Sequence, residues 1–288
     1  MNQSSKWIWR VVGLGSLAAT VLLLAGFVVG VKDIVSPKAG SGLSSQEPAL
    51  QGDQQTDGQE TAAAAKKLEI AAIGDSLARG TGDDSGSGFV RRSITVLDKS
   101  GRDVELLNNL AINGLTTEGL LQRLNDPGVQ YVLKKSNLIL LSIGGNDLFQ
   151  GAQAAQSMSG TIPTIEQLKA ALPEASKRLQ TVLEKIREIN KNATIVYVGL
   201  YNPFGDIPQL LGPGNEIVNT WNQAAISVAA KDKNMIVVPT FDLFQQNLAK
   251  YLSSDHFHPN GEGYQAIADR IVQGIPADNT KAEEGAQP

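Results

Sequence analysis

Leu68-Glu69-Ile70-Ala71-Ala72-Ile73-Gly74-Asp75-Ser76-Leu77 carries an apolar run into a glycine and then into a hydroxyl. A run this short and, Glu69 apart, apolar reads as a strand buried on both faces of a parallel sheet. The glycine allows a sharp exit from the strand, which puts Ser76 at its carboxyl end. Four more runs read the same way: Val104–Asn108, Leu138–Ile143, Thr194–Gly199 and Met235–Pro239. Longer helical patterns lie between them. Thr164-Ile165-Glu166-Gln167 has the capping-box pattern and opens a helix that runs to about Asn190. A second helix spans about Asn215 to Lys231, with Ile217, Val218, Trp221, Ala225 and Val228 on one face, a stripe read as core. A last one runs from Gly263 to Gln273. This alternation predicts an α/β domain, a three-layer α/β/α sandwich around a central parallel five-stranded sheet. Ligands then sit beyond the carboxyl ends of the strands.

Composition excludes several classes of function. At 42% hydrophobic and 19% charged the chain is globular in character. A formal charge of -4 offers no basic surface for counterion release, so nucleic acid is not an expected partner. With no cysteine, there is no disulfide, thiolate zinc site, cysteine nucleophile or lipid-modified cysteine. Only two histidines occur, both in Asp255-His256-Phe257-His258-Pro259-Asn260, so few groups can exchange a proton near neutrality.

The amino-terminal region predicts a membrane address. After Lys6 and Arg10, residues 11–31 contain only apolar residues, glycine, Ser16 and Thr20, close to the ~20 residues a helix needs to span a hydrocarbon core. Positive charge ahead of the segment favours a cytoplasmic amino terminus, residues 1–10, and an extracellular catalytic domain. Cleavage near Ser36-Pro37-Lys38-Ala39-Gly40, giving a secreted protein, is the alternative. Residues 32–66 lose aromatics and long apolar runs and are expected to be a disordered linker, with a reach of roughly 30 Å. Residues 67–275 are left for one domain, and residues 276–288 for a disordered tail.

Polar motifs fall at the predicted strand ends. Gly74-Asp75-Ser76 follows the first strand, Asn109 to Gly114 the second, Gly144-Gly145-Asn146-Asp147 the third and Tyr201-Asn202-Pro203-Phe204 the fourth. A serine, a histidine and an acid are what an activated-nucleophile hydrolase requires. With these blocks in this order, the chain resembles the SGNH (GDSL-type) hydrolases: Gly74-Asp75-Ser76-Leu77, Asn109-Leu110-Ala111-Ile112-Asn113-Gly114, Gly144-Gly145-Asn146-Asp147, and Asp255 to Asn260 followed by Gly263-Tyr264. The resemblance implies that family's flavodoxin-like fold and a serine esterase, lysophospholipase-like, similar to membrane-anchored or secreted bacterial members. It makes Ser76 the nucleophile, His258 the base and Asp255 its orienting acid, with oxyanion donors from the Ser76 and Gly114 N–H groups and the Asn146 side chain. No cofactor or metal is implied; the partner is a small ester or lipid substrate.

Each role has a competitor. Ser76 could cap the following segment. His256 and His258 are both near Asp255, but the acid three residues before and Pro-Asn after favour His258. Asp75 and Asp147 are read as loop-holding acceptors and Arg79 as solvated. Gly82 to Gly88 lacks the lysine of a phosphate cradle and reads as a mobile loop. A metal-dependent phosphoesterase using Asp75, Asp147, Asp255, His256 and His258 is the rival mechanism, although so few histidines fit it poorly. O-deacetylation of a cell-wall polysaccharide is the alternative substrate class. Leu77, Leu115, Leu148, Phe149, Tyr201 and Phe204 are candidates to shape the substrate pocket, with Gly151 to Thr161 a lid or a long loop.

Overall fold

Strands β1 (Leu68–Gly74), β2 (Val104–Asn109), β3 (Leu138–Ser142), β4 (Thr194–Val198) and β5 (Met235–Val238) pair in parallel in the order β2-β1-β3-β4-β5. They belong to a computed structural model that describes residues 67–149 and 165–276. All lie within the unit Thr61–Pro288. The expected anchor, linker and lid, the cap residue Thr164 and residues 277–288 fall outside the described residues. Among the described residues no helix is long and apolar enough to cross a membrane.

The apolar character of the inner strands follows from burial on both faces: β3 is buried throughout, β4 after its first residue and β1 after its first two, whereas edge strand β2 carries Glu105, Asn108 and Asn109 and has no fully buried residue. Ile70 and Ala72 point to one side of β1 and Ala71 and Ile73 to the other, all fully buried. Register places Ile70 beside Leu138 and Ala71 beside Ile139, so β3 divides its side chains between the same two cores. Helices α1 (Ser76–Arg79), α2 (Gly88–Lys99), α7 (Phe241–Tyr251) and α8 (Gly261–Gly274) cover one face through Ala78, Phe89, Phe244 and Ile267. Helices α3 (Thr117–Arg123), α4 (Pro127–Lys135), α5 (Ile165–Ile189) and α6 (Pro208–Ala229) cover the other through Leu120, Leu133, Leu179 and Trp221. The three-layer sandwich is therefore as expected. Ile217, Val218, Trp221 and Ala225 are buried, with Val228 partly buried against them, so that stripe is core.

Helix α6 begins well before the expected Asn215. Pro208 occupies its first turn, where no N–H is needed, and Pro213 is carried inside the helix. Asn202 braces that end, donating to Asn215 Oδ1 at 2.9 Å and accepting from the Phe204 N–H at 3.0 Å. The Gly82 to Gly88 loop is pinned, not mobile. Asp83 accepts from the Ser85 N–H and hydroxyl at 3.0 and 2.8 Å and from the Gly88 N–H at 3.0 Å. The Arg92 guanidinium adds bonds of 3.1 and 3.0 Å to Asp83 Oδ2, charge-assisted and closed off from solvent on the acid's side.

The chain leaves β1 for β2 on one side of the sheet and then returns to pair β3 on the other. The gap beyond the carboxyl ends of β1 and β3 is thus the switch point where such sheets bind ligands. Backbones approach closely there. Gly74 has φ +133°, and a Cβ on it would lie 1.8 Å from the Ser142 carbonyl oxygen, which accepts from the Asp75 N–H at 2.9 Å.

Gly74→Ala is expected to force β1 and β3 apart and cost more than about 3 kcal/mol in urea unfolding, the sum of left-handed strain and a lost close contact. Gly101→Ala, at φ +83° with nothing within 4 Å of the added Cβ, is the control and should cost only about 1–2 kcal/mol. Equal losses at the two sites would show that the β1–β3 approach is not tight.

Candidate active site

Ser76 opens α1 directly after the Gly74 turn and is buried. Asp75 caps that helix, its Oδ1 accepting from the Leu77 N–H at 3.1 Å and the Ser142 hydroxyl at 3.0 Å. The other partner of Ser76 comes from the far end of the chain. His258 Nε2 lies 2.7 Å from Ser76 Oγ across 182 residues of sequence, and His258 Nδ1 lies 2.6 Å from Asp255 Oδ2. An ionised carboxylate only accepts hydrogen bonds, so Nδ1 carries the ring proton and Nε2 is left to accept from the Ser76 hydroxyl.

Asp255 stays ionised although burial works against its charge. The His258 ring, the His258 and Phe257 N–H groups and the Ser253 hydroxyl all donate to it, the last at 2.7 Å, and hold its pKa at about 2. His258 itself is fixed on several sides. The Tyr201 hydroxyl donates to the Phe257 carbonyl at 2.7 Å, and the Ser253 N–H donates to the His258 carbonyl at 2.8 Å. Gly82, at φ +92°, leaves room for it, since a Cβ there would lie 2.8 Å from His258 Cβ. His256 is exposed, with φ 52°, and its recorded hydrogen bond is from its backbone N–H to the Ser253 carbonyl.

The three expected oxyanion donors lie on the same rim. The Ser76 N–H, at a helix start, and the Gly114 N–H, at φ +77°, have no hydrogen-bond partner among the described residues. Asn146 is buried in the helical turn, residues 145–149, that follows β3, and one of its two amide hydrogens goes to the Leu115 carbonyl at 3.0 Å, which ties that turn to Gly114's neighbour.

Asp75 and Asp147 make no hydrogen bond to Ser76, His258 or Asp255. Asp147 accepts from the Thr117 N–H at 2.9 Å and the Thr117 hydroxyl at 2.6 Å, with Arg178 at 3.8 Å, and so joins its helical turn to α3. Burial raises its pKa. Among the described residues no cluster of three or more His, Asp or Glu is placed to hold a metal ion. Arg79 is exposed.

A narrow crevice of about 10 Å³ opens between these elements, lined among the described residues by Leu77, Gly145, Phe149, Leu200, Tyr201, Pro203 and Phe257. Leu77, Phe149 and Tyr201 therefore stand where a pocket wall was expected. Leu148 is in the core, Leu115 packs partly buried against it, and Phe204 sits behind Phe149 with ring centroids 5.5 Å apart. Sequence reasoning missed Gly82 and Ser253 as supports of His258, and the anchoring hydroxyl of Tyr201. Only the Gly80-Thr81-Gly82 pattern carried a local hint, of a tight turn.

Residues 72–266 match the sequence model of the GDSL-like Lipase/Acylhydrolase family. The chain is 34% identical over 220 residues to "Uncharacterized protein YpmR" of Bacillus subtilis, covering 75% of this chain and 84% of that one. It is 28% identical over 212 residues to the spore germination lipase LipC of Bacillus licheniformis, covering 71% and 94%. The solved structure of the lipase Lip_vut3 from a goat rumen metagenome superposes with a TM-score of 0.60 at 27% identity, covering 72% of this chain and 96% of that one.

Asp75 gives the site a measurable pH signature. It is fully buried, its Oδ2 has no partner among the described residues, and burial pushes its pKa up to about 7. An unfolded aspartate ionises near ~4, so between ~4 and ~7 the folded state holds a proton that the unfolded chain has lost, and stability falls as pH rises. Asp255, with its pKa lowered, acts in the opposite sense and below that window. Asp75→Asn keeps an acceptor for Leu77 and should remove the decline: its urea-unfolding free energy, relative to wild type, is expected to rise steadily from pH 4 to pH 7. A constant difference across that range would mean that Asp75 is already ionised in the fold.

Proposed function

The chain belongs to the GDSL-like lipase/acylhydrolase family and is a carboxylic ester hydrolase; from that premise we propose that it works through an acyl intermediate on Ser76. The observation that carries this reading is the unbroken chain Ser76 Oγ, His258 Nε2, His258 Nδ1, Asp255 Oδ2, with links of 2.7 and 2.6 Å. A serine hydroxyl is a poor nucleophile until a base takes its proton. His258 Nε2 takes that proton as Oγ bonds to the ester carbonyl carbon, and Asp255 stabilises the imidazolium that forms. The carbonyl oxygen, now an oxyanion, is met by the Ser76 and Gly114 N–H groups and the free hydrogen of the Asn146 amide, each worth ~3 kcal/mol of barrier. His258 then returns the proton to the leaving alcohol. Water, deprotonated by the same nitrogen, repeats the sequence to free the acid and restore Ser76.

Two substrate classes are supported by different observations. Lipid-like esters, including lysophospholipids, are favoured by the names of two matched proteins, both lipases. O-deacetylation of a cell-wall polysaccharide is favoured by the narrowness of the crevice. We place either reaction at the outer face of the membrane. Residues 11–31 would anchor the chain and residues 32–66 would tether the 67–275 domain, which would be secreted if the anchor were cleaved. The support is the length of the apolar segment and the basic residues ahead of it.

Ser76→Ala and His258→Ala are each expected to lose about 10⁴-fold or more in kcat, whereas His256→Ala retains activity. A fluorophosphonate should label Ser76, and hydrolysis should survive EDTA. Loss of activity with chelator and no label would reject the serine mechanism. Asn146→Ala should lower kcat about 10²–10³-fold at nearly constant KM. Expressed with its full amino terminus in a bacterium, the protein is expected to sediment with membranes, resist high salt and dissolve in detergent. Recovery from the medium as a shortened chain would instead establish cleavage.

A further inference from the structure

The crevice is bounded by chain neighbours of the catalytic groups: Leu77 follows Ser76, Gly145 precedes Asn146 and Phe257 precedes His258. Ser76 itself does not line it, but these chain neighbours set the crevice beside the catalytic groups and make it the candidate space for a group bonded to Ser76 Oγ. No charged side chain lines it among the described residues, so it suits hydrocarbon and not a sugar hydroxyl. Its size is set by aromatic rings. Phe149 meets Phe204 edge-on, centroids 5.5 Å apart at 76°, and meets Phe257 edge-on at 6.3 Å and 79°. Phe204 and Phe257 lie 6.2 Å apart, closing the triangle. All three are at most 5% exposed. Edge-on packing against two rings holds Phe149 in place from two sides.

A free volume of about 10 Å³ is close to that of a single water-sized sphere. Room of that size takes an acetyl methyl, and Phe149 is one of the side chains that a longer chain would have to displace. We infer that Phe149, braced by Phe204 and Phe257, sets the acyl length accepted at Ser76 and restricts it to acetyl- or propionyl-sized groups. The inference rests on the acyl-Ser76 reading and assigns the acyl half of the substrate, leaving the alcohol half open. Gly145 offers the reverse manipulation. Its φ lies outside the left-handed region, and a Cβ on it would stand 3.9 Å from Phe257 Cζ and 3.9 Å from Asp75 Oδ2, ordinary contact distances. An alanine there is tolerated, and its methyl narrows the crevice.

The test measures kcat/KM of the full chain for p-nitrophenyl acetate, butyrate and octanoate, and for acetates of increasing alcohol length. Wild type is expected to favour acetate over octanoate by about 100-fold, the discrimination that a methylene without room commonly produces. Phe149→Ala should raise the octanoate-to-acetate ratio about tenfold or more, and Gly145→Ala should lower the butyrate-to-acetate ratio about fivefold. Neither should move the profile across alcohol lengths. Should Phe149→Ala not fold, as judged by its melting curve, Phe149→Leu and Gly145→Ala carry the same comparison. Wild type that takes octanoate as readily as acetate would overturn the inference, as would variants that shift the alcohol profile or leave both ratios fixed. The underlying acyl-Ser76 reading fails separately, by Ser76→Ala retaining hydrolysis of the acetate.

Discussion

The Ser76–His258 hydrogen bond, 2.7 Å long between residues 182 apart, is the constraint to which the surrounding structure is fitted. A displacement of ~1 Å in such a contact can cost ~10²-fold in rate, so both ends need rigid support. Ser76 is held by the Gly74 turn, which lets β1 lie against the Ser142 carbonyl, and by the Asp75 cap. His258 is held from opposite sides of its segment. Asn260 caps α8 just after it, accepting from the Glu262 and Gly263 N–H groups at 3.0 Å. Tyr201, stacked on Phe244 of α7 at 3.8 Å, fastens the residue before it. The imidazole is thus carried by β4's loop, α7 and α8 together, all on the side of the sheet that also carries α1.

Two aspartates near the nucleophile show how environment, not residue type, assigns a role. Asp255 is partly open to water and receives four donors, two on its own backbone turn, so it keeps its charge and steadies a cation. Asp75 is fully buried, receives the Ser142 hydroxyl and the Leu77 N–H on one oxygen, and feels the like charge of Asp147. Burial favours its neutral form. The nucleophile turn is therefore built on a carboxyl that holds backbone in place, while the working charge sits at the rim.

Much of this was legible in the chain. Inner strands buried on both faces leave mostly apolar runs, the edge strand β2 a mixed one, and the five appear where Leu68–Ile73, Val104–Asn108, Leu138–Ile143, Thr194–Gly199 and Met235–Pro239 marked them, within a residue at each end. Helices were harder to read. The start of α6 was hidden by Pro208, which sits in the first turn where no N–H is needed, and by Pro213, which the helix carries inside it. The Gly82 to Gly88 stretch looked mobile by composition, yet Asp83 and Arg92 close it through contacts no local pattern announces. At the site, the choice of His258 over His256 coincides with a buried ring and an exposed one. Of the residues named for a pocket wall, Leu77, Phe149 and Tyr201 line the crevice, whereas Leu115, Leu148 and Phe204 are not among its lining residues. Sequence distance from a motif does not say which of two adjacent apolar residues faces the core.

The central claim is a covalent acyl group on Ser76, and trapping it is the most direct test. Protein mixed with excess p-nitrophenyl acetate, quenched in acid within its first turnovers and digested, should yield the peptide containing Ser76 heavier by one acetyl group, alongside a burst of p-nitrophenol close to the enzyme concentration. In the His258→Ala protein both the adduct and the burst should vanish. Steady hydrolysis with no burst and no modified peptide, or an acetyl group found on another residue, would contradict the account.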